Sequence, residues 1–233
     1  MNHKILNKLE QLIHISPQLL RQPNTLIHAI QSTFDIELDH IEYSHMGELV
    51  DRIDDKVLDN YFRNHWQGEM KKYKYSGLKL IDEVNSLNPR RVLDIGCGYH
   101  EFKGKINNLV GIDPYNDAAD IHVKLLDYHP DEKYDATLAL GSINFGSTDK
   151  VFAELEHAVS LCNPGAVMFF RVNPGLPHDE ADRPVGKNHS NWIYFYPWDA
   201  NFIVNCAEQL NVDILDIKTD SHRGRIYFVW RTK

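Results

Sequence analysis

Residues 90–102 read RRVLDIGCGYHEF. Val92, Leu93 and Ile95 make a short apolar run, the pattern of a buried strand, and Gly96 and Gly98 then break it into a turn. A strand that ends in glycines lets backbone N–H groups come close to a ligand, because no Cβ stands in the way. Spacing separates the loops that use this device. A phosphate-gripping loop needs GxxxxGK[ST], which the chain lacks. A dinucleotide loop needs GxGxxG, but Glu101 holds the third position, where a carboxylate would repel a pyrophosphate. What remains is acidic-x-Gly-x-Gly: Asp94, Gly96 and Gly98.

Around this loop the sequence alternates between apolar runs and helical periods. After an amphipathic stretch through Leu78, Ile81, Val84 and Leu87 come RRVLDIG, NLVGID, IHVKLLD, DATLALG, AVMFFRV, VDILDIKTD and RIYFVWR. Helices are expected at 149–161 and 198–210. Near-continuous apolar strands alternating with helices predict an α/β fold, a mostly parallel sheet covered on both faces. The last two runs are joined by only a few residues around SHRG, too few for a parallel crossover, so the final strand is expected to be antiparallel.

Residues 1–75 form a separate, mainly helical extension by pattern, and 76–233 the α/β domain. Ile5, Leu6, Leu9, Leu12 and Ile13 recur at helical spacing, as do Leu49, Ile53, Val57, Leu58 and Tyr61. Between them FDIELDHIEY alternates, which predicts a short strand with Phe34, Ile36 and Leu38 on one face.

Composition narrows the function. Of 233 residues, 42% are hydrophobic and 25% charged, enough for a sizeable core. The net charge is −8, from 25 Lys+Arg and 33 Asp+Glu, which argues against bulk nucleic-acid binding. Cys97, Cys162 and Cys206 lie far apart, with no CxxC pair, so neither a disulfide framework nor a zinc site is indicated. Thirteen scattered histidines and the adjacent His178, Asp179 and Glu180 do not make a metal site either. With no apolar run long enough to span a bilayer, the expected setting is cytoplasmic.

The ordered set of pieces resembles the class I methyltransferases that use S-adenosylmethionine, over residues 76–233. VLDIGCG is similar to that family's first motif; GID, LLDY, YDATLALGSINF and AVSLCNPGAVMFF follow in the family's order, and the closing hairpin is similar to its reversed seventh strand. The resemblance implies a three-layer Rossmann-like sandwich with a seven-stranded sheet. It implies methyl transfer from S-adenosylmethionine to a small molecule or a protein side chain. The donor would be held by Asp94, Gly96, Cys97, Gly98 and His100 in the loop, and by Asp113, with Pro114 after it, at the ribose hydroxyls. Asp127 and Tyr128 would flank the adenine, and Gly141 and Ser142 the sulfonium. Asn144, Asn191 and Trp192 are the substrate-contact candidates, and His189, His178 and Tyr196 the candidates for an optional general base. The polar-aromatic stretch from Asn173 to Trp198 follows the fifth strand, where acceptor pockets form in open α/β sheets. Neither the Pro-Pro-aromatic run of DNA amino-methyltransferases nor the Pro-Cys of the cytosine-C5 enzymes occurs in LGSINFG.

The chain departs from the family in three places. His100 stands where a third glycine is frequent, at a position where histidine tolerates positive φ and could face the donor's carboxylate. Gly98 lies fifteen residues before Asp113, about one helical turn short, and PYNDAAD is too short for a crossover helix. Both predict a donor less enclosed on that side. Two other readings use the same features: a catalytically silent module that binds the donor or its product and acts through a partner, and a nicotinamide-dependent oxidoreductase, which Glu101 and the reversed last strand oppose. Oligomeric state is left open.

Overall fold

The computed structural model describes residues 2–39, 44–66, 75–174, 192–220 and 224–233. The chain divides into two compact units, Met1–Trp66 with Pro177–Tyr194, and Gln67–Leu176 with Phe195–Lys233. One boundary near 75 was expected. By packing, the described residues 192–194 go with the N-terminal unit, whatever their place in the sequence.

That unit holds helices α1 (His3–Ile15), α2 (Pro23–Phe34) and α3 (Met46–Asn64). Asn2 caps α1, its Oδ1 accepting from the Lys4 and Ile5 N–H groups, as short polar side chains do at an N-cap. Its Nδ2 reaches Asp54 Oδ1 at 2.7 Å and the Trp192 carbonyl at 2.7 Å, so the cap also ties α1 to α3 and to 192–194. Pro23 opens α2, where its missing N–H has no intrahelical partner to lose. Of the stripes read from sequence, Ile5, Leu9, Leu49, Ile53, Val57 and Leu58 are buried, and Leu6, Leu12, Ile13 and Tyr61 are half-buried.

The expected strand around Phe34 to Leu38 does not form among the described residues. Phe34 ends α2 and Asp35 turns left-handed (φ 53°). Burial still alternates, with Phe34, Ile36 and Leu38 inside. Side chains take the carbonyls that a partner strand would have used: Asn60 Nδ2 donates to the Asp35 carbonyl at 2.8 Å and Gln31 Nε2 to that of Leu38 at 3.1 Å.

The second unit is built on strands β1 (Val92–Ile95), β2 (Leu109–Ile112), β3 (Tyr134–Leu140), β4 (Cys162–Val172), β5 (Val212–Thr219) and β6 (Ile226–Thr232), in the order β2-β1-β3-β4-β6-β5. The first four are parallel, and β6 runs antiparallel to both β4 and β5, as the short final connection required. Among the described residues the sheet has six strands, not seven. IHVKLLD reaches it through a single bridge, Ile121 to Ile112, and Leu125–Asp127 is a 3-10 turn. The preceding segment is too short to carry a crossover helix that would lay a seventh strand along β2.

Two layers cover the sheet. Helices α5 (Thr148–Ser160) and α6 (Ala200–Gln209) press Val151, Leu155, Ala158, Ile203 and Cys206 onto one face, with Met168, Phe170, Phe228 and Trp230. On the other face lies α4 (Leu80–Ser86), whose Leu80 and Val84 meet Val92, Leu138 and Phe169. No α-helix joins β1 to β2. Residues 98–108 run as successive turns, and Phe102 and Ile106 do the helix's packing. Among the described residues no helix is long and apolar enough to cross a membrane.

Candidate functional site

The glycine loop leaves the carboxyl end of β1, the edge where open α/β sheets bind ligands. The Gly96 and Cys97 N–H groups both donate to the Ile112 carbonyl, at 2.8 and 3.1 Å, which pins the loop to β2. Gly96 has φ 67°, and a Cβ there would stand 2.4 Å from the Ser142 Cβ. Only glycine lets β1 and the end of β3 approach so closely. Gly98 is also left-handed (φ 56°) and donates its N–H to Asp113 Oδ2 at 3.0 Å.

Asp113, at the end of β2, is buried. Its Oδ1 accepts from the N–H groups of Tyr115 (2.8 Å) and Asn116 (3.0 Å), so Pro114 lies inside a turn that the carboxylate closes. Three of roughly four acceptor positions on the carboxylate are therefore taken by backbone. The bidentate ribose grip implied by resemblance meets a group already holding the loop.

His100 adopts the positive φ expected of it, 52°. Its ring, however, is buried against β2. A Cβ on Gly111 would lie 2.6 Å from His100 Nε2 and 2.9 Å from the Cys97 sulfur. His100 Nε2 is 3.6 Å from Asp120 Oδ2, which accepts the Gly111 N–H, while Asp120 Oδ1 takes Lys103. His100 thus props the loop on β2, and glycine at 111 makes the room.

Asp94 is fully enclosed. Burial and the neighbouring Asp113 push its carboxyl up to about 7, with the Arg171 guanidinium pulling the other way. Burial and the carboxylates of Asp94, Asp113 and Asp120 push the Cys97 thiol up. A thiol so disfavoured as thiolate is a poor nucleophile, in keeping with a small space-filling residue.

At the end of β3, Gly141 has φ 110°, and a Cβ there would sit 3.0 Å from Arg171 Nη2. The Ser142 hydroxyl is buried beside Gly96 with no hydrogen-bond partner among the described residues. Asn144 is wholly buried and braces the edge: Nδ2 donates to the Gly141 carbonyl (3.0 Å), Oδ1 accepts from the Asn173 N–H (3.0 Å), and its own carbonyl accepts from Tyr196 N–H (2.8 Å). Its side chain is spent on structure, not offered to a substrate.

The structure therefore gathers Asp94, Gly96, Cys97, Gly98, His100, Asp113, Pro114, Gly141 and Ser142 along one edge. It does not bring Tyr128 there. That residue is buried on the α5 side, its hydroxyl bonded to the Tyr134 hydroxyl and its carbonyl to His157 Nε2, toward the opposite end of β3. Asp127 is exposed on the 3-10 turn. Tyr196 is buried against Trp198 and Phe202, in the core beneath the edge. Trp192 packs on Phe34 in the N-terminal unit, ring centroids 4.8 Å apart. His178, His189 and Asn191 lie outside the described residues. No group of three or more His, Cys, Asp or Glu suited to a metal ion occurs among the described residues.

Sequence reasoning missed Arg171. It is buried near the end of β4, donating Nη1 to Ser76 Oγ (3.4 Å) and Nη2 to the Leu140 carbonyl. The signal was a lone arginine within the apolar AVMFFRV, where a buried charge needs a reason.

No protein-family model matches the chain, and no curated protein matches it in sequence. Solved structures do. The 1,6-didemethyltoxoflavin N1-methyltransferase of Burkholderia thailandensis, with 1,6-didemethyltoxoflavin and S-adenosylhomocysteine bound, superposes with TM-score 0.56 at 13% identity, over 85% of this chain and 95% of that one. The N-methyltransferase NodS from Bradyrhizobium japonicum, holding S-adenosylhomocysteine, gives 0.53 at 12%, over 79% and 97%. The magnesium protoporphyrin IX methyltransferase of Synechocystis, also with S-adenosylhomocysteine, gives 0.53 at 12%, over 81% and 100%. At such identities the likeness is one of fold: the chain has the class I S-adenosylmethionine-dependent methyltransferase fold.

Proposed function

We propose that this chain is an S-adenosylmethionine-dependent methyltransferase acting on a small molecule. The observation that carries the reading is the left-handed Gly96–Gly98 loop, pinned to β2, closed by Asp113 and pressed on Ser142 with no room for a Cβ. Comparable folds in the three neighbours hold S-adenosylhomocysteine, and one of them is a 1,6-didemethyltoxoflavin N1-methyltransferase with that small molecule bound.

The residues present fit the donor. The unsatisfied Ser142 hydroxyl marks a polar place awaiting a partner at the end of β3. Asp94, when ionised, supplies a buried negative charge suited to an ammonium group. Gly96 and Gly141 leave space where any other residue would place a side chain. Asp113 retains about one acceptor position for a ribose hydroxyl. When bound, S-adenosylmethionine supplies a sulfonium-activated methyl group. The chain's own contribution is alignment and exclusion of water, effects worth several kcal/mol in a pre-organised site. Tyr196 is too enclosed by aromatic rings to serve readily as a base. Residues 178 and 189 keep that role as proposals.

Calorimetric titration with S-adenosylmethionine, S-adenosylhomocysteine and NADH tests the reading. Micromolar binding of the two adenosyl compounds and none of NADH is expected, lost in Asp113→Ala. Binding of NADH, or of none of the three, would refute it.

A further inference from the structure

A recess lies on the α4 face of the sheet. It has a volume of about 310 Å³, at the small end of the roughly 300–1,000 Å³ typical of small-molecule sites. Register explains its floor. Arg171 pairs with Tyr227 across β4 and β6, Tyr227 with Lys218 and Val229 with Asp216 across β6 and β5. Directly paired residues share a face, so this row of side chains lies on one side of the sheet. Phe169 and Leu140 complete the floor, and Tyr75, Ser76, Lys79 and Glu83 form the wall.

Three properties point to a ligand. First, the lining is aromatic: Tyr75 and Tyr227 meet edge to face with ring centroids 5.4 Å apart, and Phe169 lies beside them. Second, the Tyr227 hydroxyl is buried and meets no hydrogen-bond partner of good geometry among the described residues; burial raises its pKa, against the opposing pull of the Arg171 guanidinium and the nearby Ser76 side chain. A buried hydroxyl left without a full partner calls for an explanation. Third, the rim charges cancel. Lys218 is held by Asp216 and lies 5.8 Å over the Tyr75 ring, and Glu83 also stabilises its charge. With Lys79 the rim carries two positive and two negative groups. Such a rim offers no net attraction to a strongly charged molecule.

The recess also borders the donor edge. Its wall residue Ser76 and its floor residue Leu140 both accept from Arg171, whose Nη2 lies 3.0 Å from where a Gly141 Cβ would stand. The Arg171 guanidinium thus links the recess to the end of β3.

We propose that this recess binds a flat, uncharged or zwitterionic aromatic small molecule with a polar substituent facing Tyr227. Resting on the methyl-transfer reading, we assign it as a site coupled to the donor edge through the Arg171 guanidinium. The molecule's ring lies among Tyr75, Phe169 and Tyr227, and its polar group satisfies the Tyr227 hydroxyl.

The test is a two-dimensional ¹⁵N–¹H NMR titration of the full chain with quinolin-4-ol, caffeine and indole, with cyclohexanol as a non-planar control. The backbone amides of Ser76, Lys79, Lys218 and Tyr227 are expected to shift saturably with the planar probes and not with cyclohexanol. Tyr227→Phe removes one hydrogen bond and should weaken quinolin-4-ol about fivefold; Val229→Phe, which fills the space, should abolish the shifts. Absence of shifts, shifts confined to other residues, or equal response to cyclohexanol would overturn the site. Repeating the titration with saturating S-adenosylhomocysteine separates the two claims. A changed probe affinity supports the coupling, and an unchanged one removes it. Probe binding in a chain that does not bind S-adenosylhomocysteine sinks the methyltransferase reading and leaves the recess as a site.

Discussion

Replacing Asp94 by asparagine should make the ligand-free protein more stable at neutral pH, and increasingly so as pH rises. Asp94 is enclosed at the end of β1, with its carboxyl raised from an ordinary 3.8 to about 7. Between those values the folded chain keeps a proton that the unfolded chain has released. Stability therefore falls as pH rises through that window and levels off above 7. At 1.36 kcal/mol per pH unit the full difference is on the order of 4 kcal/mol, and water or Arg171 moving toward the ionised carboxylate would reduce it to about half. Asparagine keeps the shape and never ionises. The assay is urea unfolding of both proteins from pH 4.5 to 8, with the wild-type curve subtracted so that other titrating groups cancel. The difference should be small at pH 4.5 and grow to about 2–4 kcal/mol in favour of the variant by pH 8. S-adenosylhomocysteine affinity should move the other way. It should rise about tenfold between pH 6 and 8 in the wild type, following the ionised fraction of a group titrating near 7, and be weak and flat in the variant. A pH-independent stability difference, or a variant less stable at pH 8, would show that Asp94 is not a strained carboxylate.

Two further substitutions test the frame around it. Gly96→Ala places a Cβ 2.4 Å from that of Ser142 at a φ of 67°, so the loop must shift; a loss of S-adenosylhomocysteine affinity of at least tenfold is expected by calorimetry, since left-handed backbone alone costs alanine about 1 kcal/mol, and unchanged affinity would refute the close-approach argument. Asn144→Ala leaves the Gly141 carbonyl and the Asn173 N–H without their buried partner, which should cost about 2–6 kcal/mol in chemical unfolding at roughly 1–3 kcal/mol per orphaned group; a loss below 0.5 kcal/mol would free Asn144 for the substrate contact that its position in the sequence suggested.

What the sequence revealed and what it hid divide along a physical line. Local periodicity is written in the residues, so α1, α3, α5 and six strands fall where the apolar pattern places them. The reversed β6 follows from a connection too short for anything else. IHVKLLD has a strand's composition, but a strand also needs a neighbour held alongside, and its short lead-in allows one bridge to Ile112. The alternation at 34–38 fails for the same reason: its burial pattern is right, yet side chains of Gln31 and Asn60 fill the place of a partner. Side-chain roles were less legible than backbone ones. Gly96 and Gly98 could be read because glycine has few other reasons to recur at that spacing. Tyr128 and Asn144 occupy promising positions in the chain, but their atoms turn inward to Tyr134 and Asn173, a choice made by packing across elements far apart in sequence.

The shortened link between β1 and β2 bears most directly on function. In a loop that runs into an α-helix, the first helical N–H groups and the helix dipole draw a ligand or a capping carboxylate to the turn. Here residues 98–108 make turns instead, so that support is missing, and two side chains replace it. Asp113 accepts the Gly98 N–H from one side, and His100 wedges against Gly111 from the other. Asp113 is also the residue proposed above to meet a ribose. A donor that takes one of its acceptor positions competes with the turn at Tyr115 and Asn116 or with the Gly98 N–H. Donor affinity and loop order thus draw on the same carboxylate. An alanine at 113 should disturb both, whereas asparagine, keeping one oxygen for backbone N–H groups, should spare the loop more than the affinity.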